Sequence, residues 1–467
     1  MGKSNSRPLS IGTFFCTFFA FVFFAFIFLD LSTSNAGFTR SLTPEGFMSI
    51  LAILTASAMV AFSVSSEQFQ FVSALFWVFQ YVFFGITSYS YSVDTQPEYL
   101  ATALSGPAKG TAYLIVLISG FLVASSQLLF YHRFNNSTRC GEDSDLINVS
   151  RLLRRTKILN IAYILLFIPL LRLLGQGSYL FRRGAVSLGY ATTNLAVQGV
   201  AESLFLVIPV VVTSILVVLK FKYKIQISMY WLGINLLWVL VLSNPKAHPR
   251  QVVLFVLMPF IFFLVKKSRS VGFFLIYLIP IFLLYLANVI NRYTGAISLN
   301  LKTPITSRLQ DLDAFPQLAN TVDKVALGSF PLFHQILGSI FFFLPRSLWP
   351  GKPFDTGVML GQLSNLNFTN LSAPWTAEAF ANARWFGVIL VSISFGLLLA
   401  QIETRSSKFS GLLYASIASG SIFIVLRGSL LQATGRIVFA VFIILWVSNR
   451  SVKRRGDVRG IGMLNQT

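Results

Sequence analysis

Long blocks without a charged residue run through this chain, and they leave it few ways to fold. Residues Ile11 to Leu31 carry no charge before Asp30, and Val271 to Ile290 carry none at all. A helix needs roughly 20 apolar residues to cross a bilayer core. In lipid, only a helix or a closed barrel pairs every backbone polar group. Barrel strands run to roughly 10 residues with strict alternation. These blocks are longer and apolar all round, so the sequence predicts an all-α polytopic membrane protein. Composition agrees, because 55% of the 467 residues are hydrophobic and 11% are charged, too little charge to cover a soluble surface of that size.

Twelve spans are predicted, near 11–31, 46–63, 69–88, 110–132, 158–174, 197–219, 227–243, 250–265, 271–290, 385–401, 410–426 and 435–449. The second and third form a tight hairpin. The apolar run after Lys3 and Arg7 is too long for a signal-peptide core and reads as a retained first helix. Net charge is +21, but the cations lie in short runs between apolar blocks rather than on a folded surface interleaved with aromatic platforms, which argues against nucleic acid as a partner. With a cytoplasmic N-terminus, the clusters Arg133–Lys157, Lys220–Lys224, Lys266–Arg269, Arg405–Lys408 and Arg450–Arg459 all fall inside, as the positive-inside rule requires. Arg182 and Arg183 dissent. Both termini are then cytoplasmic, and the longest outside segment is 291–384, between a membrane unit over 1–290 and another over 385–467. A structureless loop of that length is unusual, so it should be ordered and functional. Within it Leu332 to Leu344 is apolar but too short to span, and Pro345, Pro350 and Pro353 follow it, which predicts an interfacial or re-entrant helix.

Soluble-enzyme motifs are absent: no Gly-rich phosphate loop, no HExxH, no GxSxG. Three histidines (His132, His248, His334) and two cysteines (Cys16, Cys140) leave little to build a metal centre, and none is expected. The sequons at Asn135, Asn136, Asn148, Asn367 and Asn370 carry little weight, three of them lying in a predicted cytoplasmic loop. Cations on the outer face stand out: Arg250, Arg292, Arg346, Lys352, Arg384, Arg427 and Arg436. Arginine in apolar sequence costs roughly 2.5–3.5 kcal/mol at mid-membrane on insertion scales. Guanidinium groups pair bidentately with phosphate oxygens, so a lipid phosphate or pyrophosphate would offset that cost. The plainer alternative is anchoring at helix ends by snorkelling. Outside acids are few. Asp311, Asp313 and Asp323 come early in the large segment, and Asp355 and Glu378 come late. Glu378, His334 and Asp355 are the candidates for a general base, against plainer roles in a turn, a first helical turn or an amphipathic face.

The segment Leu344-Pro345-Arg346-Ser347-Leu348-Trp349-Pro350-Gly351-Lys352-Pro353 resembles the Pro-Arg…Trp-Pro-x-Lys-Pro loop of bacterial oligosaccharide repeat-unit polymerases, the Wzy-type O-antigen and capsule polymerases. Ala377 to Asn382 resembles the acidic stretch leading into that family's next helix, and Asn244 to Arg250 its short loop with an arginine opening a helix. The resemblance implies a GT-C-like membrane glycosyltransferase in the bacterial inner membrane, with its active site facing the periplasm. Undecaprenyl-pyrophosphate-linked oligosaccharide would be donor and acceptor, and undecaprenyl pyrophosphate the leaving group. Such a protein needs no nucleotide sugar and no cofactor. Its partners would be membrane lipids and, for length control, a chain-length regulator. The arginine set would hold the leaving pyrophosphate. Glu378 would be the catalytic base, with His334 in reserve. An O-antigen ligase using a lipid A acceptor is the alternative within the same chemistry. A flippase or other transporter is the alternative outside it, but two related halves are not visible.

Overall fold

The computed structural model describes residues 10–32, 43–67, 69–93, 104–139, 146–174, 180, 195–244, 248–281, 283, 312–366, 371–406, 408–448 and 452–453. Arg292, Arg182, Arg183, Asp311 and Cys140, and the sequons at Asn367 and Asn370, lie outside them. The described residues are all-helical in their regular structure, apart from an antiparallel pairing of β1 (Leu146–Ile147) with β2 (Val452–Lys453). Helices α1 (Ile11–Ser32), α2 (Pro44–Ser65) and α3 (Phe71–Phe79) are followed by a π-helical segment (Gln80–Ile86) that runs into α4 (Thr87–Val93). Then come α5 (Gly106–Arg139), α6 (Val149–Leu173), α7 (Leu195–Phe221), α8 (Met229–Leu242), α9 (Arg250–Lys267) and α10 (Arg269–Ile281). Three short helices follow, α11 (Ala314–Ala326), α12 (His334–Ile340) and α13 (Thr356–Leu363), before α14 (Trp375–Arg405), α15 (Phe409–Arg427) and α16 (Leu430–Ser448).

Eight helical stretches among the described residues are long and apolar enough to cross a membrane: 44–65, 71–92, 106–134, 149–173, 196–221, 375–405, 409–427 and 430–448. The protein is therefore membrane-embedded and polytopic. Three more apolar helices, Ile11–Ile27, Met229–Leu242 and Arg269–Ile281, are shorter. Helix α9 is framed by Arg250 at its start and Lys266 and Lys267 at its end. The predicted span at 271–290 falls partly on residues that are not described.

The continuous helix from Phe71 to Ser92 is buried from Phe71 to Ser90 and forms the centre of the bundle. Some of its polar groups are paired to neighbours, as a non-aqueous surrounding favours, while Ser73 Oγ and Gln80 Nε2 are buried with no hydrogen-bond partner. Trp77 Nε1 donates to Gln127 Oε1 at 2.8 Å, and the Tyr81 hydroxyl donates to the Phe21 carbonyl at 2.6 Å. The helices pack closely where side chains vanish. A Cβ on Gly396 of α14 would lie 2.0 Å from Ser126 Oγ and 2.6 Å from the Val123 carbonyl of α5. One on Gly420 of α15 would meet the Phe255 carbonyl of α9 at 2.5 Å. Helix starts are written locally: the Thr43 side chain accepts from Gly46 N at 3.1 Å with Pro44 next, and Asn148 caps α6 by accepting from Arg151 N at 3.1 Å.

The two ends of the bundle differ. At one, Lys266 Nζ donates to Ser406 Oγ at 3.2 Å, and Arg269 Nη2 donates to the Val64 and Ser66 carbonyls at 2.7 and 3.1 Å. These bonds bring together the α2–α3, α9–α10 and α14–α15 turns, with Lys267, Arg405 and Lys408. Helix α9, about 27 Å long at 1.5 Å per residue, runs from this basic end to the other. There its start meets the α15–α16 turn, the first turns of α7 and the short helices of the 312–366 segment.

Helix α14 differs from the expected span at 385–401. It begins at Trp375 and breaks at Ala383 and Arg384, the latter at φ 52° and ψ −138°. The Arg384 guanidinium holds the break, donating to the Ala381 carbonyl at 2.8 Å and the Phe330 carbonyl at 3.0 Å. The stretch 375–382, expected in the large loop, is thus a buried helical cap on the membrane span. Helix α12 has seven residues, about 10 Å, and does not cross the bundle. Helix α11 is sunk into the bundle, with Phe315 against the rings of Tyr113 and Tyr91 at centroid distances of 4.6 and 6.0 Å.

Candidate functional site

The Pro-Arg…Trp-Pro-Gly-Lys-Pro segment is a loop clamped by its own two cations. Arg346 Nη2 donates to the Pro353 carbonyl at 3.0 Å, and Nη1 donates to the Lys352 carbonyl. Lys352 Nζ reaches back to the Phe342 and Leu344 carbonyls at 2.7 and 2.8 Å. The guanidinium also lies over the Phe354 ring, 3.8 Å from its centroid. Arginine and lysine six residues apart thus tie each end of the turn to the other, with the prolines restricting the chain between them. The same hydrogen bonds occupy much of the donor capacity of both side chains.

This loop walls a cavity of about 650 Å³ at the end of the bundle opposite the basic turns. Facing it are the first turns of α7 (Glu202, Ser203), the start of α9 (Pro249, Gln251), α13 with its cap Asp355, and the first turns of α16 (Gln432, Arg436). Arg436 Nη2 donates to Glu202 Oε1 at 2.8 Å, while Nη1 is buried and has no hydrogen-bond partner. Such a residue in an apolar helix is costly unless something else takes up its donor. His248 is buried nearby. Desolvation lowers its pKa, Glu202 opposes that shift and Arg436 reinforces it, so the three form one electrostatic group.

Asp355 is held from several sides. Its Oδ1 accepts from Gly357 N at 2.9 Å, capping α13, and its Oδ2 accepts from the Ser429 hydroxyl. Burial pushes its carboxyl up from the ordinary range, against the lowering effect of those bonds. Lys352 is pulled the other way, down, by burial and by Arg346. Glu378 lies one layer behind the cavity wall, 2% exposed. Its Oε1 accepts from Leu430 N at 3.2 Å, an otherwise open amide at the start of α16. Asp355 and the Thr356 hydroxyl are close enough to act on it.

Of the residues singled out in the sequence, Arg346, Lys352 and Arg436 are brought together around the cavity, with Asp355 among them and Glu378 behind. Arg250 opens α9 between the wall residues Pro249 and Gln251. Arg384 clamps the α14 break. Arg427 pairs with Asp313, Nη2 to Oδ1 at 3.2 Å, and its carbonyl accepts from Ala373 N at 3.0 Å. That pair ties the α15–α16 turn to the start of α11. His334 is half-buried beside the loop. Its Nε2 is 3.0 Å from the Gly351 carbonyl, an acceptor only, so that nitrogen carries the proton.

Sequence reasoning missed Glu202, Gln251 and Gln432. Glu202 left a signal, being a carboxylate inside an otherwise apolar span. The two glutamines left none, because their 3.5 Å approach joins residues 181 positions apart. Among the described residues no group of three or more His, Cys, Asp or Glu could hold a metal ion. No protein-family model, no curated protein and no solved structure matches the chain.

Proposed function

We propose that this chain is a Wzy-type polymerase, joining undecaprenyl-pyrophosphate-linked oligosaccharide repeat units at the periplasmic face of the bacterial inner membrane and releasing undecaprenyl pyrophosphate. One observation carries the reading. The loop that resembles the polymerase loop walls a cavity with Arg436, whose second nitrogen lacks a partner, and that cavity opposes the lysine- and arginine-rich end of the bundle. By the positive-inside rule the basic end is cytoplasmic and the cavity periplasmic. Twelve spans, counting the shorter apolar helices and α9, return both termini to the cytoplasm.

In this mechanism a hydroxyl of one repeat unit attacks the anomeric carbon of the sugar on the other lipid carrier. The carbon–oxygen bond to pyrophosphate breaks, and the electron pair leaves with the phosphate oxygen. Arg436, with Arg346 and Lys352 behind it, stabilises that developing charge. The hydroxyl proton passes to a carboxylate. Asp355 faces the cavity, while Glu378 is reached only through the Asp355–Thr356 layer. Glu378 as base therefore requires that layer to open when substrate binds, whereas Asp355 requires no movement.

The test is reconstitution in liposomes with lipid-linked repeat units. Wild-type protein should give a ladder of polymer and free undecaprenyl pyrophosphate, and Arg436→Lys should give little of either. Release of the lipid only when lipid A is supplied would assign the chain to the ligases. Movement of intact lipid-linked units without pyrophosphate release would assign it to the transporters.

A further inference from the structure

A second cavity, of about 920 Å³, runs along α15 between α14 and α16. Phe395 and Leu398 of α14, Ile417 and Val425 of α15, and Val441 of α16 form its walls. From Ser410 to Val425 it follows α15 for about 22 Å at 1.5 Å per residue. That is more than half of a roughly 30 Å hydrocarbon core. No carboxylate lines it. One end is different in character: Arg405 and Lys408 line the mouth, and both are exposed.

These two cations have no carboxylate partner among the described ion pairs. The Gln401 amide, turned oxygen-first, accepts from the Arg405 guanidinium at 2.9 and 3.2 Å, which orients the charge without neutralising it. Glu403, the nearest acid in sequence, is occupied elsewhere. It is 2% exposed, does not line the groove, and its Oε1 accepts from Ser73 N of α3 at 3.0 Å. The mouth also lies at the start of α15, where Lys408 provides no side-chain cap for the first amides, a setting that favours an anion. An apolar groove that opens on the bundle surface, with Leu398 and Val441 exposed on its walls and a doubly cationic rim, is complementary to a molecule with a long acyl chain and a negative head.

We propose that this groove binds an anionic phospholipid, its acyl chain lying between α14 and α16 and its phosphate against Arg405 and Lys408. Its cationic mouth is at the opposite end of the bundle from the Arg436 cavity, and the proposal does not depend on the polymerase reading. Basic side chains near a membrane surface each contribute enough for the pair to favour an anionic over a zwitterionic head by roughly tenfold or more.

The experiment uses the full-length protein in detergent, delipidated and then titrated with phosphatidylglycerol or phosphatidylcholine of matched chains, with bound lipid read by native mass spectrometry. Wild type should retain phosphatidylglycerol roughly tenfold better. The double change Arg405→Gln with Lys408→Gln should bring the two lipids level, and Ala418→Trp, which fills the slot midway, should lower retention of both. Raised salt on the wild-type protein should shrink the preference in the same way without any substitution. Glycerol phosphate, a head without a chain, should not compete. Equal retention of the two lipids by wild type would overturn the proposal. So would a preference that survives the double change or raised salt, or displacement by glycerol phosphate alone.

Discussion

Arg436 is the cation on which function should depend most sharply. Arg346 and Lys352 direct much of their donor capacity into the loop that carries them, whereas Arg436 is fixed by Glu202 and keeps one nitrogen unpartnered. Arg436→Lys retains the charge and can retain the Glu202 contact, but it removes the planar fork. Polymer formation should fall by about 100-fold or more, the loss typical of a missing transition-state donor, while the amount of protein in the membrane holds. Normal polymerisation by this variant would make Arg436 an anchor. Asp355 offers a pH test. Because its carboxyl is raised in the folded protein, the unfolded chain releases that proton first. The folded state therefore loses stability as pH climbs from the unfolded value of about 4, and the loss levels off above the folded pKa. Asp355→Asn keeps an acceptor for Gly357 N and cannot ionise. Its melting temperature relative to wild type should rise as pH rises from about 4. A gap that is constant with pH would show that Asp355 titrates as it does in the unfolded chain.

Helix packing makes the next claim testable. Gly396 faces the Val123 carbonyl and Ser126 of α5 across a gap with no room for a methyl group, while a Cβ on Gly120 of α5 would meet nothing within 4 Å. Gly396→Ala should therefore push α14 from α5 and cost about 1–3 kcal/mol. Gly120→Ala should be neutral or stabilising by up to about 1 kcal/mol, as alanine's helix propensity dictates. Thermal unfolding in one detergent compares the two, and equal melting temperatures would contradict the close packing. The apolar helices themselves were legible in sequence, because uncharged blocks have one outcome in lipid. The break in α14 was not. Ala383 and Arg384 look like ordinary helix formers, and only the Phe330 carbonyl, 54 positions away, reveals what holds them out of the helix. The loop cations were legible as a motif, but their backbone partners were not, since a pattern of residue types does not show which donors the loop itself uses. Nor did position alone rank the acids: Asp355 faces the cavity and Glu378 does not, its Oε1 being turned to the Leu430 amide, 52 positions away.

At the scale of the whole molecule, sidedness links the helices to the proposed chemistry. The basic end is assembled from segments far apart in sequence. Lys266 reaches the α14–α15 turn, Arg269 the α2–α3 turn, and β1 pairs with β2 in the chain's tail, Leu146 opposite Lys453. Apart from the α2–α3 turn, which holds no cation of its own, these are segments that the positive-inside rule would assign to the cytoplasm. Helix α9 joins the two ends, with Lys266 in one and Gln251 on the cavity wall at the other, so a single orientation decides on which face any substrate is met. If the basic end is cytoplasmic, phosphatase reporters fused after Asn365, in the turn beyond α13, should be active and those after Lys224 or Lys408 silent, with a cytoplasm-dependent reporter giving the reverse. A silent phosphatase after Asn365 together with an active one after Lys408 would invert the protein. The cavity would then open to the cytoplasm, where a periplasmic polymerase cannot work, and the polymerase reading would fall even if Arg436 proved essential.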